Sequence, residues 1–464
     1  MTIKLNKHAF LWLAPLLAIA FYCLLMFLSV PKMAAIAAAV TALTVLWWVT
    51  EALPIPGTSI VPFALLPLFG VIDHKTAASA LGSHVILLLM GAFMLSKALE
   101  QSRVHERLAI YMVKFVGVSS GKRLIFAFML TSAMLSMWIS NTATTLIMLP
   151  IALALVAKFN NKKLACALVL GIAYAASLGG VATPIGTPPN VIFMAIYQET
   201  TTASFSFLQW MIIGLPVVLI SLPLMALWLT RNIQGKLALT LPELTPWRVA
   251  EKRVLLIFSL TALAWITRQA PFGGWSELFN LKGIGDSTVA LFAVVMMFIT
   301  SDGKKDGKHG RLLHWETAKT IPWGMLLLFA GGIVIAKGFV ASGLSEMLGQ
   351  WLASLAAIPI ILMILVICLV VTYLTEITSN TATATLLLPI LAAAAIAIDQ
   401  DPLVFMIPAT ICASCAFMLP VATAPNAIAY GTGLIDIKDM VREGFILSLL
   451  TVFVVTGVSY LMLV

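Results

Sequence analysis

Stretches of about 20 apolar residues recur along the whole chain, the length a helix needs to cross a hydrocarbon core about 30 Å thick. They place expected spans near 9–30, 33–50, 57–72, 123–139, 142–157, 164–182, 208–230, 254–269, 287–301, 358–377, 381–398, 403–420 and 444–463. Backbone polar groups in lipid are satisfied only within helices or closed barrels, and the short alternating segments of a barrel do not occur here. The chain is therefore expected to be an all-α integral membrane protein. Composition agrees: 61% of the 464 residues are hydrophobic and 10% charged, with a mean hydropathy of +1.04, against roughly 45–50% apolar and about 25% charged in soluble domains. Some adjacent runs read as halves of one broken helix, which brings the expectation to about 11 crossings. The first run, Ala9 to Val30, exceeds a secretory h-region of about 7–15 residues and continues to Pro31-Lys32 without a small-residue cleavage site, so it reads as a retained first helix.

A formal net charge of +9 would suggest nucleic acid in a soluble protein, but here the cations collect between spans. Lys4 and Lys7 precede the first run, and Lys158, Lys162 and Lys163 form one cluster. Arg231, Lys236, Arg248, Lys252 and Arg253 form a second, and Lys304, Lys305, Lys308, Arg311 and Lys319 a third. The last two flank a pair of spans whose own connector holds only Lys282 and Arg268, so the positive-inside bias puts both clusters and the amino terminus on the cytoplasmic side of an inner (plasma) membrane, with lipid and not nucleic acid as the surrounding partner. No HExxH, P-loop or Cys/His cluster is present, which argues against an enzyme. Cys412-Ala-Ser-Cys415 has a redox spacing without the βαβ context that gives it meaning, and reads as small residues in a packed helix.

The polar segments are duplicated. "SNTATTLIMLP" from Ser140 and "SNTATATLLLP" from Ser379 agree at 7 of 11 positions and start 379 − 140 = 239 residues apart. "LLMGAFMLSKAL" from Leu88 matches "LLFAGGIVIAKGF" from Leu327, with Lys97 and Lys337 offset by 240, and "VATPIGTPPN" from Val181 matches "VATAPN" from Val421, again offset by 240. Three matches in one order at nearly one offset indicate an internal duplication. The chain divides into a first helix (1–32), a repeat (33–232), a cytoplasmic linker (233–251) and a second repeat (252–464). Two such halves are the architecture in which secondary transporters place a site at the midplane. The glycine-interrupted segments at Leu88 and Leu327, each followed by an amphipathic stretch, are expected to be re-entrant hairpins.

Ser-Asn-Thr at membrane depth is tolerated only where backbone lines protein or a wet cavity. Carbonyls at the end of a half-helix can ligate a cation, and free N–H groups at the start of the next can hold an anion. Ser and Asn are strong N-cap residues, and the proline of each loop frees further carbonyls, while Gly186 admits close backbone approach. Five or six oxygens without a carboxylate suit Na⁺ better than Ca²⁺ or Zn²⁺. Neither SNT segment nor either Pro-Asn loop contains Arg or Lys, so an anion there must be neutralised by helix ends of about half a charge each and by bound cations. Glu376 and Glu51, near the ends of spans, are expected to serve as partners at an interface, and Lys97 and Lys337 to snorkel toward the membrane surface.

"MWISNTAT", "ITSNTATATLLLP", "GTPPN" and "CAFMLPVATAPN" resemble the divalent anion sodium symporter family, whose signature is a duplicated SNT motif, and the likeness covers nearly the whole chain. The resemblance implies an inverted repeat, a homodimer built from scaffold domains, and a transport domain that moves as an elevator carrying one dianion with sodium. It assigns one Na⁺ site to Ser136, Ser140, Asn141 and Gly186, and a second to Thr375, Thr378, Asn380 and Ala422. It gives the substrate carboxylates to Asn141 with Thr142 and to Asn380 with Thr381, with Thr187 and Thr423 close by. Ala424 replaces the second proline of the family pattern, and Thr378 stands where a small residue is common. The implied activity is sodium-coupled import of C4 dicarboxylates such as succinate, fumarate and malate. Exchange of dicarboxylates, citrate or sulfate as substrate, and a channel are the alternatives.

Overall fold

The computed structural model describes residues 7–156, 161–201, 203–235, 246–269, 273–281, 283–303, 310–352 and 358–464. Lys4, Lys158, Lys236, Lys282, Lys304, Lys305 and Lys308 of the basic groups lie outside the described residues. Among the described residues helices account for the regular structure, and the β-bridge of Ser301 with Arg311 is isolated. Eight helices among the described residues are long and apolar enough to cross a membrane on their own. The chain is a multi-pass membrane protein, and its outer surface exposes large apolar side chains such as Trp12, Phe27, Leu219 and Leu461 that a soluble domain would hide.

The two SNT segments break the chain as the polar residues require. Helix Gly121–Ser136 ends just before the first, and helix Asn141–Val156 starts inside it. Helix Ile360–Thr375 ends before the second, and helix Asn380–Ala397 starts inside it. Gly121–Ser136 runs alongside Lys162–Gly179 in the same direction, since Gly121 abuts Leu164, Gly171 abuts Met129, and Gly179 lies against the Ala133 backbone. Only residues 157–161 separate Val156 from Lys162, so Asn141–Val156 must return to the side from which Gly121–Ser136 came. The pair is a re-entrant hairpin with the SNT motif at its tip. In the second pair Thr375, the last residue of its helix, bonds the carbonyl of Ala413, the last residue of Leu403–Ala413, and only residues 398–402 separate Ala397 from Leu403, so Asn380–Ala397 likewise returns and the pair is a second hairpin.

This differs from the expectation that spans 123–139, 142–157, 358–377 and 381–398 are full crossings and that the hairpins lie at Leu88 and Leu327. Helices His84–Ser102 and Trp323–Ala341 are each continuous through their glycines. The glycines mark close packing instead: a Cβ on Gly91 would sit 2.7 Å from Ala290 Cβ, and one on Gly331 would sit 2.6 Å from the Ser59 carbonyl oxygen. Similarly the run at 57–72 is two short helices, Ile55–Thr58 and Val61–Leu68, and the run at 403–420 is helical only over Leu403–Ala413.

The Pro-rich loops interrupt two further crossings. Lys162–Gly179 resumes as Pro188–Thr201, and Leu403–Ala413 resumes as Ala424–Gly431. One face of the molecule gathers the basic ends of the chain. Arg248 reaches the Ser102 carbonyl at 2.7 Å, Arg253 reaches that of Ser301 at 2.7 Å, and Arg231 grips Glu443 at 2.8 and 2.9 Å. On the opposite face Lys337 pairs with Glu199 at 2.7 Å, and Arg268 with Asp286 at 2.6 Å. Lys337 thus has a carboxylate partner instead of simply snorkelling.

The glycine contacts give a direct test of the packing. Gly91→Val is expected to lower stability by about 1–3 kcal/mol, the cost of overpacking. Gly457, which has nothing within 4 Å of a built Cβ, is expected to accept alanine without loss. Thermal denaturation of the two variants in detergent checks both.

Candidate functional site

Both hairpin tips and both Pro-Asn loops line one cavity of about 550 Å³. From the first repeat it takes Ser140, Asn141, Thr142, Gly186 and Thr187, and from the second Ser379, Asn380, Thr381, Ala422 and Thr423. Residues 236 or 239 apart in sequence thus line one space. Ser136 and Thr375 are fully buried behind it. Thr378 does not line the cavity: its hydroxyl bonds the Leu374 carbonyl at 2.9 Å and the Thr383 hydroxyl at 2.5 Å, so the hydroxyl expected beside the second cation site is committed to its own helix turn.

Each tip restarts its helix with a serine cap. Ser140 Oγ accepts from the Ala143 N–H and Ser379 Oγ from the Ala382 N–H, both at 3.2 Å. The asparagine after each cap is held by a hydroxyl from the end of the preceding arm. Ser136 Oγ lies 2.6 Å from the Asn141 amide, and Thr375 Oγ1 lies 2.8 Å from Asn380 Oδ1 and 2.9 Å from the Ala413 carbonyl oxygen. The same end of the Asn141 amide is 3.2 Å from the Gly186 carbonyl oxygen and 3.3 Å from that of Ala176. Turned one way, the amide N–H groups satisfy these oxygens. Turned the other way, four oxygens converge, the donor set of a small hard cation. The second tip converges three oxygens, Asn380 Oδ1, Thr375 Oγ1 and Ala413 O, on one hydroxyl proton.

The residues that hold the loops escaped the sequence reading. Asn190 donates to the carbonyls of Thr183 at 2.8 Å and Gly180 at 3.1 Å, and Asn426 donates to those of Leu419 at 3.0 Å and Ala416 at 3.1 Å. These are the last letters of "GTPPN" and "TAPN", and their repetition at equivalent places was the available signal. Each loop is also tied to its hairpin tip. The Thr183 hydroxyl donates to the Met137 carbonyl. In the second half the corresponding tie is Glu376, which is buried and accepts from the N–H groups of Phe417 at 2.6 Å, Met418 at 2.9 Å and Leu419 at 3.0 Å. Glu376, expected as a partner at a domain interface, instead ties its own tip to its own loop, a carboxylate seated in a backbone nest.

The cavity wall opposite the tips comes from His84–Ser102. Leu89, Ala92, Phe93, Ser96, Lys97 and Glu100 line it at helical spacing, with Lys97 Nζ 2.7 Å from Glu100 Oε2. Lys97, expected to snorkel to the membrane surface, therefore belongs to the cavity.

The family described as citrate transporter (CitMHS) matches residues 45–406. Two curated relatives are a sodium-dependent dicarboxylate transporter, SdcS, of Staphylococcus saprophyticus, 39% identical over 91% of this chain and 85% of the relative, and its Staphylococcus aureus counterpart, 39% identical over 91% and 84%. Among solved structures, the Alcanivorax borkumensis YdaH transporter superposes with a TM-score of 0.57 at 15% identity, covering 85% of this chain and 86% of that one. Neisseria gonorrhoeae MtrF gives 0.57 at 13% identity, covering 86% and 84%. At such identities these two speak for the fold alone.

Glu376→Gln is expected to lower stability by at least about 1–3 kcal/mol, because the new amide turns a donor toward a buried backbone N–H. Thermal shift in detergent, compared with Glu346→Gln at an exposed position of helix Leu344–Leu352, checks it.

Proposed function

The chain belongs to the divalent anion sodium symporter family, and from that premise we propose that it imports C4 dicarboxylates such as succinate, fumarate and malate together with Na⁺. The observation that carries this reading is the meeting of two SNT tips in one cavity, with an oxygen cluster behind each asparagine. Asn141 with Thr142 and Asn380 with Thr381 bring amide and hydroxyl donors of both SNT tips to one cavity, as a substrate with two carboxylates would use. Thr187 and Thr423 close the same space from the loops. Ser136, Ser140, Asn141 and Gly186 would hold one Na⁺, and Thr375, Asn380 and Ala422 the other, with Thr378 able to contribute only through its backbone. Bound Na⁺ supplies the positive charge that the hairpin tips lack.

The chain's own residues keep the donors in place. Ser140 and Ser379 fix the helix starts, and Asn190, Asn426, Thr183 and Glu376 fix the loops against the tips. On this reading the two halves form an inverted repeat, with about 11 crossings, and the tips and loops travel as one body in an elevator cycle within a homodimer. The basic face is cytoplasmic by the positive-inside bias. The cavity runs toward that face, because Glu100 lies near the end of the helix whose last residue, Ser102, binds Arg248.

Uptake of labelled succinate into proteoliposomes tests the proposal. Concentrative uptake that needs an inward Na⁺ gradient is the expected result. Uptake that ignores Na⁺ and needs internal succinate would replace symport by exchange. Ser136→Ala and Thr375→Val are each expected to raise the half-saturating Na⁺ concentration by about ten-fold or more, since a hydrogen-bonding contact to a charged group is worth about 1.5–3 kcal/mol. Sodium titration of succinate uptake checks that.

A further inference from the structure

We infer that Lys97 is a specificity-determining cation for the carried dianion, and that Glu100 restrains it by competing for its ammonium. The inference rests on the reading of the cavity as a dicarboxylate site. Among the described residues that line the cavity, Lys97 and Glu100 are the only charged ones. Every other polar wall group is neutral: a hydroxyl, an amide, the Trp138 indole or backbone. A dianion entering this space therefore meets one full positive charge from the protein, on the wall facing the tips.

The local geometry supports a part-time rather than a permanent partnership. Lys97 and Glu100 are one turn apart on the same helix, 2.7 Å between Nζ and Oε2, with side chains 29% and 27% exposed. Exposed pairs at this spacing are weak, a few tenths of a kcal/mol, so the ammonium is readily shared. An ammonium has three donors, and Glu100 takes one of them. A carboxylate of the cargo can engage the others without breaking a buried network. Ser96, on the same stripe and buried, adds a hydroxyl beside it.

Lys97 also belongs to a different part of the molecule from the SNT tips. Its helix packs through Gly91 on Ala290 of helix Asp286–Ile299, and a Cβ on Gly91 would sit 2.7 Å from that alanine, so the two helices are locked together. Tips and loops are tied to one another instead, by Thr183 and Glu376. A cation fixed on the first body attracts the dianion only while the tips lie opposite it. Lys97 is thus placed to favour substrate on the side of the membrane to which this cavity opens.

Two single variants separate this role from that of a structural brace. Lys97→Gln removes the attracting charge and Glu100→Gln removes its competitor, so their effects on succinate binding are expected in opposite directions. In saturating Na⁺, calorimetry on the detergent-solubilised full chain should give an about 5- to 20-fold weaker dissociation constant for Lys97→Gln and a several-fold tighter one for Glu100→Gln, the scale of one charge pair at contact in a largely aqueous surrounding. The double variant should return toward the parent, and Lys97→Arg, which keeps the charge, should bind within about three-fold of it. If both single variants weaken binding alike, the pair is a brace and the inference fails. It fails equally if neither changes binding, or if Lys97→Arg loses as much as Lys97→Gln. Absence of any Na⁺-dependent succinate binding by the parent protein would instead sink the functional reading itself.

Discussion

A chain that breaks helices in hydrocarbon must satisfy the freed backbone groups from its own side chains, because no water is present to do so. Everything particular to this molecule follows from that constraint. At the tips, Ser140 and Ser379 accept from the N–H three residues on. At the loops, Asn190 and Asn426 donate to carbonyls left over where Lys162–Gly179 and Leu403–Ala413 stop. Between tip and loop, Thr183 and Glu376 complete the account. Polar residues that look expensive in a sequence 61% hydrophobic are thus the condition for having a cavity in it at all.

The two halves meet the constraint in similar but not identical ways. In the first, a neutral hydroxyl donates to one carbonyl between tip and loop. In the second, a buried carboxylate collects three N–H groups from Phe417 to Leu419. Charge-assisted hydrogen bonds of that kind are roughly twice as strong as neutral ones. The second loop also lacks one of the prolines of the first, having Ala424 where the first has Pro188. Glu376 therefore supplies, by hydrogen bonding, rigidity that the first loop draws partly from proline's fixed φ.

Much of this was legible in the sequence. The membrane class and the helix breaks at Ser140 and Ser379 followed from patterns in the residues, and the meeting of the SNT and Pro-Asn residues from the family resemblance they carry. The position of the re-entrant turns did not. Gly91 and Gly331 suggested breaks at Leu88 and Leu327, whereas they are contact points in unbroken helices, against Ala290 and Ser59. A glycine that frees the backbone and one that admits a neighbour look alike in one dimension. Length was the overlooked sign: arms of 16 residues, Gly121–Ser136 and Asn141–Val156, are about 24 Å long, short of a core of about 30 Å. The place of Lys97 was illegible for a related reason, since the stripe from Leu89 to Glu100 faces the tips only once helices distant in sequence are packed.

The absence of permanent charge at the tips bears on how such a site can move. An arginine fixed among the SNT residues would bind a carboxylate bidentately, yet it would leave an uncompensated charge in low dielectric whenever the site emptied, at a cost of several kcal/mol. Amides, hydroxyls and helix ends carry no net charge, so emptying the site strands no charge among the groups that face the cargo. A body loaded with a dianion is brought near neutrality by the cations that enter with it. In the proposed cycle the loaded and the empty states can then both cross, and the partly loaded state, a bare dianion or bare cations, is the one that low dielectric penalises. Coupling follows from that penalty without any gate. A protein cation that helps gather the dianion must then stand apart from the tips and loops, and Lys97 lines the cavity from a helix packed through Gly91 on Ala290 of Asp286–Ile299.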